Sequence, residues 1–219
     1  MKKAAVVFVI LFAVTGMCIA QNLVPLQYDL PEAMFVGTPK TVKSDNLEPA
    51  MKGGTGKRPP LMVPKGVENV ALDKAITSSD EMPVIGELEL ITDGDKEGAD
   101  GSYVELGPMK QWVQIDLEES VELYAVIVWH FHSQARVYRD VVVQIADDAD
   151  FTKNVRTVFN NDHDNSIGLG AGKDKEWIET RYGRPMPVKG EKAQFVRLYS
   201  NGSTSSEMNH YIEVEVYGK

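Results

Sequence analysis

The stretch "WHFHSQARVYRD", Trp129 to Asp140, sets two histidines and two arginines within twelve residues. Those residue types suit four roles: a transition-metal site, a catalytic centre, a sugar-reading edge, or a solvated strand end. On a strand, His130 and His132 point to one face while Trp129 and Phe131 alternate against them. A zinc site needs a third ligand at least, and usually an outer partner that fixes each ring. His163 and His210 are the only other histidines, and nothing in the spacing brings them together with the pair. Catalytic signatures are missing too: the chain has no GxSxG elbow, no HExxH and no carboxylate pair marked out by context. Sugar recognition has a physical basis here, because Arg, Asn and His supply paired donors and acceptors to adjacent hydroxyls. The bland alternative pairs Arg139 with an acid and makes His130 a satisfied histidine at the core edge. At the level of sequence both readings of the cluster stay open.

Two acidic stretches offer other chemistry. "DGDKEGAD" (93–100) places Asp93, Asp95, Glu97 and Gly98 at the opening positions of an EF-hand loop. Position 12 is then Val104, with Glu105 one residue late, and the flanks are not helical, so the EF-hand reading fails. "NNDHDNSIGLGAGKD" (160–174) carries Asp162, His163 and Asp164. Its glycines run GxGxG and Lys173 precedes Asp174 instead of Ser or Thr, which excludes a phosphate cradle. This is a loop placed to meet ligand with its side chains.

The elements that must position these residues read as strands. "WVQIDL" (112–117) alternates, and "VELYAVIVWH" (121–130) is apolar on both faces, as a central strand is. "DVVVQIA" (140–146), "NVRTVF" (154–159), "QFVRLYS" (194–200) and "YIEVEVYG" (211–218) follow. In the last, Ile212, Val214 and Val216 are expected on one face and Glu213 and Glu215 on the other. No segment carries a long amphipathic helical period. Many short-spaced strands without βαβ alternation predict an antiparallel sandwich.

The chain opens with "MKKAAVVFVILFAVTGMCIAQ", the layout of a secretory signal peptide, with cleavage expected after Ala20. A lipidated Cys18 is the alternative, against which Met17 is a poor preceding residue. Cys18 is the only cysteine, so the exported chain has no disulfide, thiolate metal site or cysteine nucleophile. Loss of Lys2 and Lys3 leaves 21 basic against 32 acidic residues, a net charge of −11. Such a surface repels nucleic acid and anionic membrane, and is compatible with calcium and neutral sugars. Residues 21–66 hold seven prolines and "KGGTGK" without an apolar period. They read as a leader or linker, a spacer that docks at most through "AMFV" (33–36). From Val67 to the end the chain reads as one domain.

Six segments stand in one order: "NVALDKAITSS" (69–79), "ITDGD" (91–95), "WVQIDL", "YRDVVVQIADDADF" (138–151), "QFVRLYS" and "YIEVEVYG". Together they resemble the discoidin, or coagulation-factor C-type, family, which includes the family 32 carbohydrate-binding modules. The resemblance covers about Val67 to Gly218. It implies a jelly-roll β-sandwich, galactose-binding-domain-like, with ligand loops at one end and a structural calcium. The implied calcium set is the carboxylates of Asp93, Asp95 and Glu213 with carbonyls at Leu90, Gly98 and Ile212. Candidate sugar residues are His132, Arg136 and Arg139 after the long strand, and Asn201, Asn209 and His210 before the last. The expected function is non-catalytic binding of a carbohydrate or glycoconjugate by an exported protein, at the cell envelope or outside the cell. An envelope-protein partner without sugar specificity is the alternative. The segment 96–111 and the long region 160–192 depart from the family pattern, and the leader lies outside it.

Overall fold

The computed structural model describes residues 22–34, 42, 44–49, 56–99 and 101–219. The expected signal segment and the second half of "AMFV" lie outside the described residues. Among those described, no helix is long and apolar enough to cross a membrane.

Among the described residues, eleven strands account for nearly all regular structure: β1 (Leu23–Pro25), β2 (Met62–Pro64), β3 (Glu68–Asn69), β4 (Ile76–Ser78), β5 (Val104–Pro108), β6 (Gln111–Trp129), β7 (Val142–Ala146), β8 (Arg156–Asn160), β9 (Arg184–Ser200), β10 (Met208–Tyr211) and β11 (Glu213–Gly218). One 3-10 turn spans Leu88–Ile91. The main sheet runs β3-β11-β6-β9-β7-β8, with β4 also on β6, and every pairing is antiparallel. β5 pairs with β10, and β1 with β2. The predicted antiparallel jelly-roll sandwich is what the chain forms.

"WVQIDL" and "VELYAVIVWH" are not two strands but the halves of β6. β9 pairs along both halves, with register breaks at Asp116/Val121 and Leu123/Ala125. The Asp116 carboxylate accepts the Glu118 N–H at 2.8 Å, and Glu118 takes a left-handed φ of 69°. That local turn inserts the extra residues of a bulge, which bends the strand and lets it serve both layers. β4 holds the first half of β6 through Val113–Ile115, and β11 holds the second half. Between the layers, Val113, Ile115, Val126, Val128, Val143, Ile145, Leu198, Val214 and Val216 form one core.

The second half of β6 is apolar on both faces because each face is covered. Val126 and Val128 enter the main core, while Tyr124, Ala125, Ile127 and Trp129 join a second cluster with Ile212 and Tyr217. The lid of that second cluster is the leader. Leu26 and Val63 are buried there, and Tyr28 and Leu61 pack alongside. Tyr28 stands edge-on to Trp129 with ring centres 5.8 Å apart. Burying Leu26 and Val63 contributes about 1.5–3 kcal/mol each. The leader is therefore no free spacer, and it docks through Leu26, Tyr28, Leu61 and Val63.

Further along the leader, Leu47 bridges Glu176 in parallel, and Val42 and Leu47 pack on the main core. The long region 160–192 forms this seat. Glu179 lies fully buried within it. Gly183 lies at φ 57°, where a Cβ would fall 2.6 Å from the Trp129 ring. Only glycine fits that approach.

In β11 both expected faces are buried. Val214 and Val216 face the main core, Ile212 belongs to the second cluster, and Glu213 and Glu215 are also enclosed. Ile212 sits in the break between β10 and β11, so its alternation with Val214 is lost.

Candidate functional site

Past Trp129 the chain leaves β6, and the strand alternation expected for the two histidines ends with it. His130 is fully buried, with Nδ1 2.7 Å from the Glu179 carboxylate and its ring stacked 4.3 Å from Tyr138. His132 is buried too, and its Nε2–H donates to the Lys96 carbonyl at 2.8 Å. The two rings take partners on different elements. Among the described residues, no three-ligand metal group includes either one.

The other predicted sugar residues divide sharply. Arg136 is buried, with its guanidinium 4.5 Å over the Phe131 ring. Asn209 is fully buried and spent on the fold. Its amide donates to the Gly107 and Met109 carbonyls at 2.8 and 2.9 Å, and its oxygen accepts Ser200 Oγ and the Gly202 N–H. It staples β10 to the turn between β5 and β6. His210 is buried 2.9 Å from Glu105. Burial first, then Arg136 and His130, push its pKa down to about 4, so the neutral ring donates Nε2–H to Glu105. These four side chains support the ends of the strands instead of facing solvent. Arg139 is exposed, and Asn201 is half-buried with its amide 2.8 Å from Asp140.

Beside Arg139 lies an open cleft of about 630 Å³, and Asn201 reaches it only through its bond to Asp140. From the sandwich it is lined by Val137, Arg139, Asp140, Asp164, Glu176 and Thr204. Its remaining wall is the leader, through Val42 and Ser44–Asn46. The 160–174 loop meets the cleft through Asp164. The contribution of Asp140, Thr204 and the leader had no motif to mark it. A cleft with a guanidinium, carboxylates and hydroxyls on its walls can hold a polyhydroxylated ligand by its edges.

Two acidic sites emerge. The carboxylate oxygens of Asp140, Asp162 and Asp164 lie within 4.8 Å of one another, and no other group of three among the described residues is so tight. They are well supplied with donors. Asp162 is fully buried and accepts the Ser166 and Ile167 N–H groups at 2.9 and 3.1 Å. Asp140 accepts Ser166 Oγ and the Asn201 amide, both at 2.8 Å.

The 93–98 turn meets the start of β11, as the resemblance implied, but less tightly. Glu213 Oε2 accepts the Gly94 N–H at 3.2 Å, while its buried Oε1 has no hydrogen-bond partner among the described residues. Burial pushes the Glu213 carboxyl up to about 9; the Gly94 bond and Lys96 pull it down, and Glu215 and Asp93 add to the rise. Asp93 and Asp95 cap the turn, accepting the N–H groups of Asp95 and Glu97 at 2.8 Å each. The Gly98 carbonyl accepts the Ser133 hydroxyl. Lys96 Nζ sits 2.7 Å from Glu215 and 5.3 Å from the Trp129 ring centre.

No family model and no curated protein matches this sequence. Solved structures do. A family 89 glycoside hydrolase from Clostridium perfringens, in complex with 2-acetamido-1,2-dideoxynojirmycin, aligns with a TM-score of 0.51 and 16% identity, over 69% of this chain and 14% of that one. A CBM32 module produced by Clostridium perfringens, in complex with GlcNAc-alpha-1,4-galactose, aligns at 0.49 and 16%, over 71% and 96%. A Streptococcus pneumoniae fucose binding module aligns at 0.45 and 22%, over 68% and 97%. The likeness is one of fold, an antiparallel β-sandwich.

Proposed function

We propose that this protein is an exported, non-catalytic module that binds a neutral carbohydrate or glycoconjugate in the cleft beside Arg139. The observation that carries the reading is the cleft itself, open at the loop end of the sandwich and walled by Arg139, Asp140, Asp164 and Thr204. Arg139 offers a planar fork to vicinal hydroxyls, and the two carboxylates accept from them. Asp45, Asp140, Asp164 and Glu176 outnumber the single arginine on its walls. That balance opposes uronic or sialic acids and favours neutral sugars. Export rests on the N-terminal segment. A glycan array with the chain from Gln21 onward, in calcium buffer, tests the reading beside an Arg139→Ala variant. The expected result is binding to neutral glycans that the variant loses; silence of the folded wild-type chain across the array would sink it.

Calcium is part of the same proposal. Asp93, Asp95 and Glu213 would hold it, with carbonyls of Leu90, Gly98 and Ile212. The orphan Glu213 Oε1, enclosed beside Asp93 and Glu215, is what a hard cation satisfies. The ion would supply positive charge that pins the turn to β11.

A second reading, an envelope-protein interaction module, has its own support. Leu23, Val24, Leu30, Met34 and Met62 are all exposed on the leader. Leu30 lines a groove of about 370 Å³ together with Leu26, Tyr28, Pro59, Pro60 and Tyr182. Contiguous apolar surface of this kind marks an interaction site. Recovery of one envelope protein by the wild type but not by a Leu23→Ser, Met62→Ser variant, without glycan binding, would favour it.

A further inference from the structure

We infer that the leader is a working part of the ligand site: Ser44, Asp45 and Asn46 form its second wall and set which glycan fits. The inference rests on the carbohydrate reading above and goes beyond it, since the leader lies outside the resemblance to any sugar-binding family. Val42 and Ser44–Asn46 line the cleft opposite Arg139, Asp140, Asp164 and Thr204. A wall selects only if it is held still, and this one is anchored on both sides.

On its inner side, the Glu48 N–H donates to the Glu176 carbonyl at 2.9 Å, and the Glu176 N–H donates to Asn46 at 3.2 Å. Ser44 Oγ donates to the Glu176 carboxylate and accepts the Asn46 N–H at 3.1 Å. Val42 and Leu47 pack on the main core. Immediately downstream, the Glu48 carboxylate is gripped by both Arg58 and Arg184. Arg58 then reaches on to the Gly183 carbonyl at 2.8 Å. Residues 44–48 are thereby clamped to the 176–184 region, which meets the cleft through Glu176. Its polar side chains at 44–46 present hydroxyl, carboxylate and amide groups at one place, the mixed chemistry that discriminates one sugar epimer from another by hydrogen bonding.

The test compares three full-length proteins on the glycan array and by calorimetric titration with the best neutral glycan. They are the wild type, Arg139→Ala, and a wall variant combining Ser44→Ala, Asp45→Ala and Asn46→Ala. Melting curves confirm that each is folded. Loss of one wall hydrogen bond corresponds to roughly a tenfold drop in affinity. The wall variant is expected to lose at least that much and to change the rank order of glycans bound. A further variant, Glu48→Gln, keeps the wall residues but loosens the clamp, and is expected to weaken binding less than the wall variant. If Arg139→Ala loses binding while the wall variant keeps both affinity and rank order, the inference fails and the carbohydrate reading stands. If the wild type binds no glycan, both fall together.

Discussion

The two acidic sites of this protein look alike in composition and differ in hydrogen bonding. Asp140, Asp162 and Asp164 crowd within 4.8 Å, yet Asp140 and Asp162 are supplied by backbone, hydroxyl and amide donors from Ser166, Ile167 and Asn201. The turn at 93–98 is looser, yet it faces a buried carboxyl oxygen with no donor among the described residues, Glu213 Oε1. Proximity of carboxylates measures how well a loop has been stitched. An unsatisfied buried oxygen measures what the fold still lacks. The second is the better guide to a cation, because a buried carboxyl oxygen left without a donor carries a desolvation cost that a bound cation offsets.

Four experiments break or sharpen that contrast. Lys96 is the one cation built into the Glu213 side, paired at 2.7 Å with Glu215, both side chains nearly enclosed. Lys96→Met should cost about 3–5 kcal/mol in urea unfolding without calcium. A loss under 1 kcal/mol would mean that Glu215 is not held as a buried anion. Next, Asp162→Ala strands the Ser166 and Ile167 N–H groups and should cost about 3 kcal/mol. The loss should be the same with calcium or with chelator; a calcium-dependent loss would move the ion to this loop.

Third, calcium at a hundredfold excess over its Kd should stabilise the wild type by about 2.7 kcal/mol. The shift in melting temperature between calcium and chelator should vanish in Asp93→Ala and persist in Asp164→Ala. The reverse pattern would exchange the roles of the two sites. The smallest effect belongs to Asp140→Ala, whose half-buried carboxylate accepts, among the described residues, only the Ser166 hydroxyl and the Asn201 amide, at about 1 kcal/mol. Its larger consequence should be weaker glycan binding, read by titration.

Much of the fold was legible because strands of a two-layer sandwich write their burial into the sequence. The second half of β6 read as buried on both faces, and its residues divide between two clusters. The bulge joining "WVQIDL" to "VELYAVIVWH" was hidden because Glu118–Ser120 look like a polar turn. Only pairing with β9 along both halves shows one continuous strand. Of the predicted sugar residues, Arg139 reached the cleft, whereas Asn209 and His210 were drawn inward by Gly107, Met109 and Glu105. Those partners are about a hundred residues away in sequence, so no local pattern announces them.

The sequence by itself determined the class of this protein, an antiparallel sandwich with acidic turns, because side-chain periodicity and turn chemistry are local properties. The tertiary structure alone decided which polar residues face outward and what the leader does. A proline-rich segment carries no apolar period, since it forms no helix or long strand of its own. Leu26 and Val63 cover β6, and Ser44–Asn46 wall the cleft, because other strands and the 176–184 region offer them surfaces to fill. Complementarity to a distant surface is written in both partners at once, and only folding brings the two together.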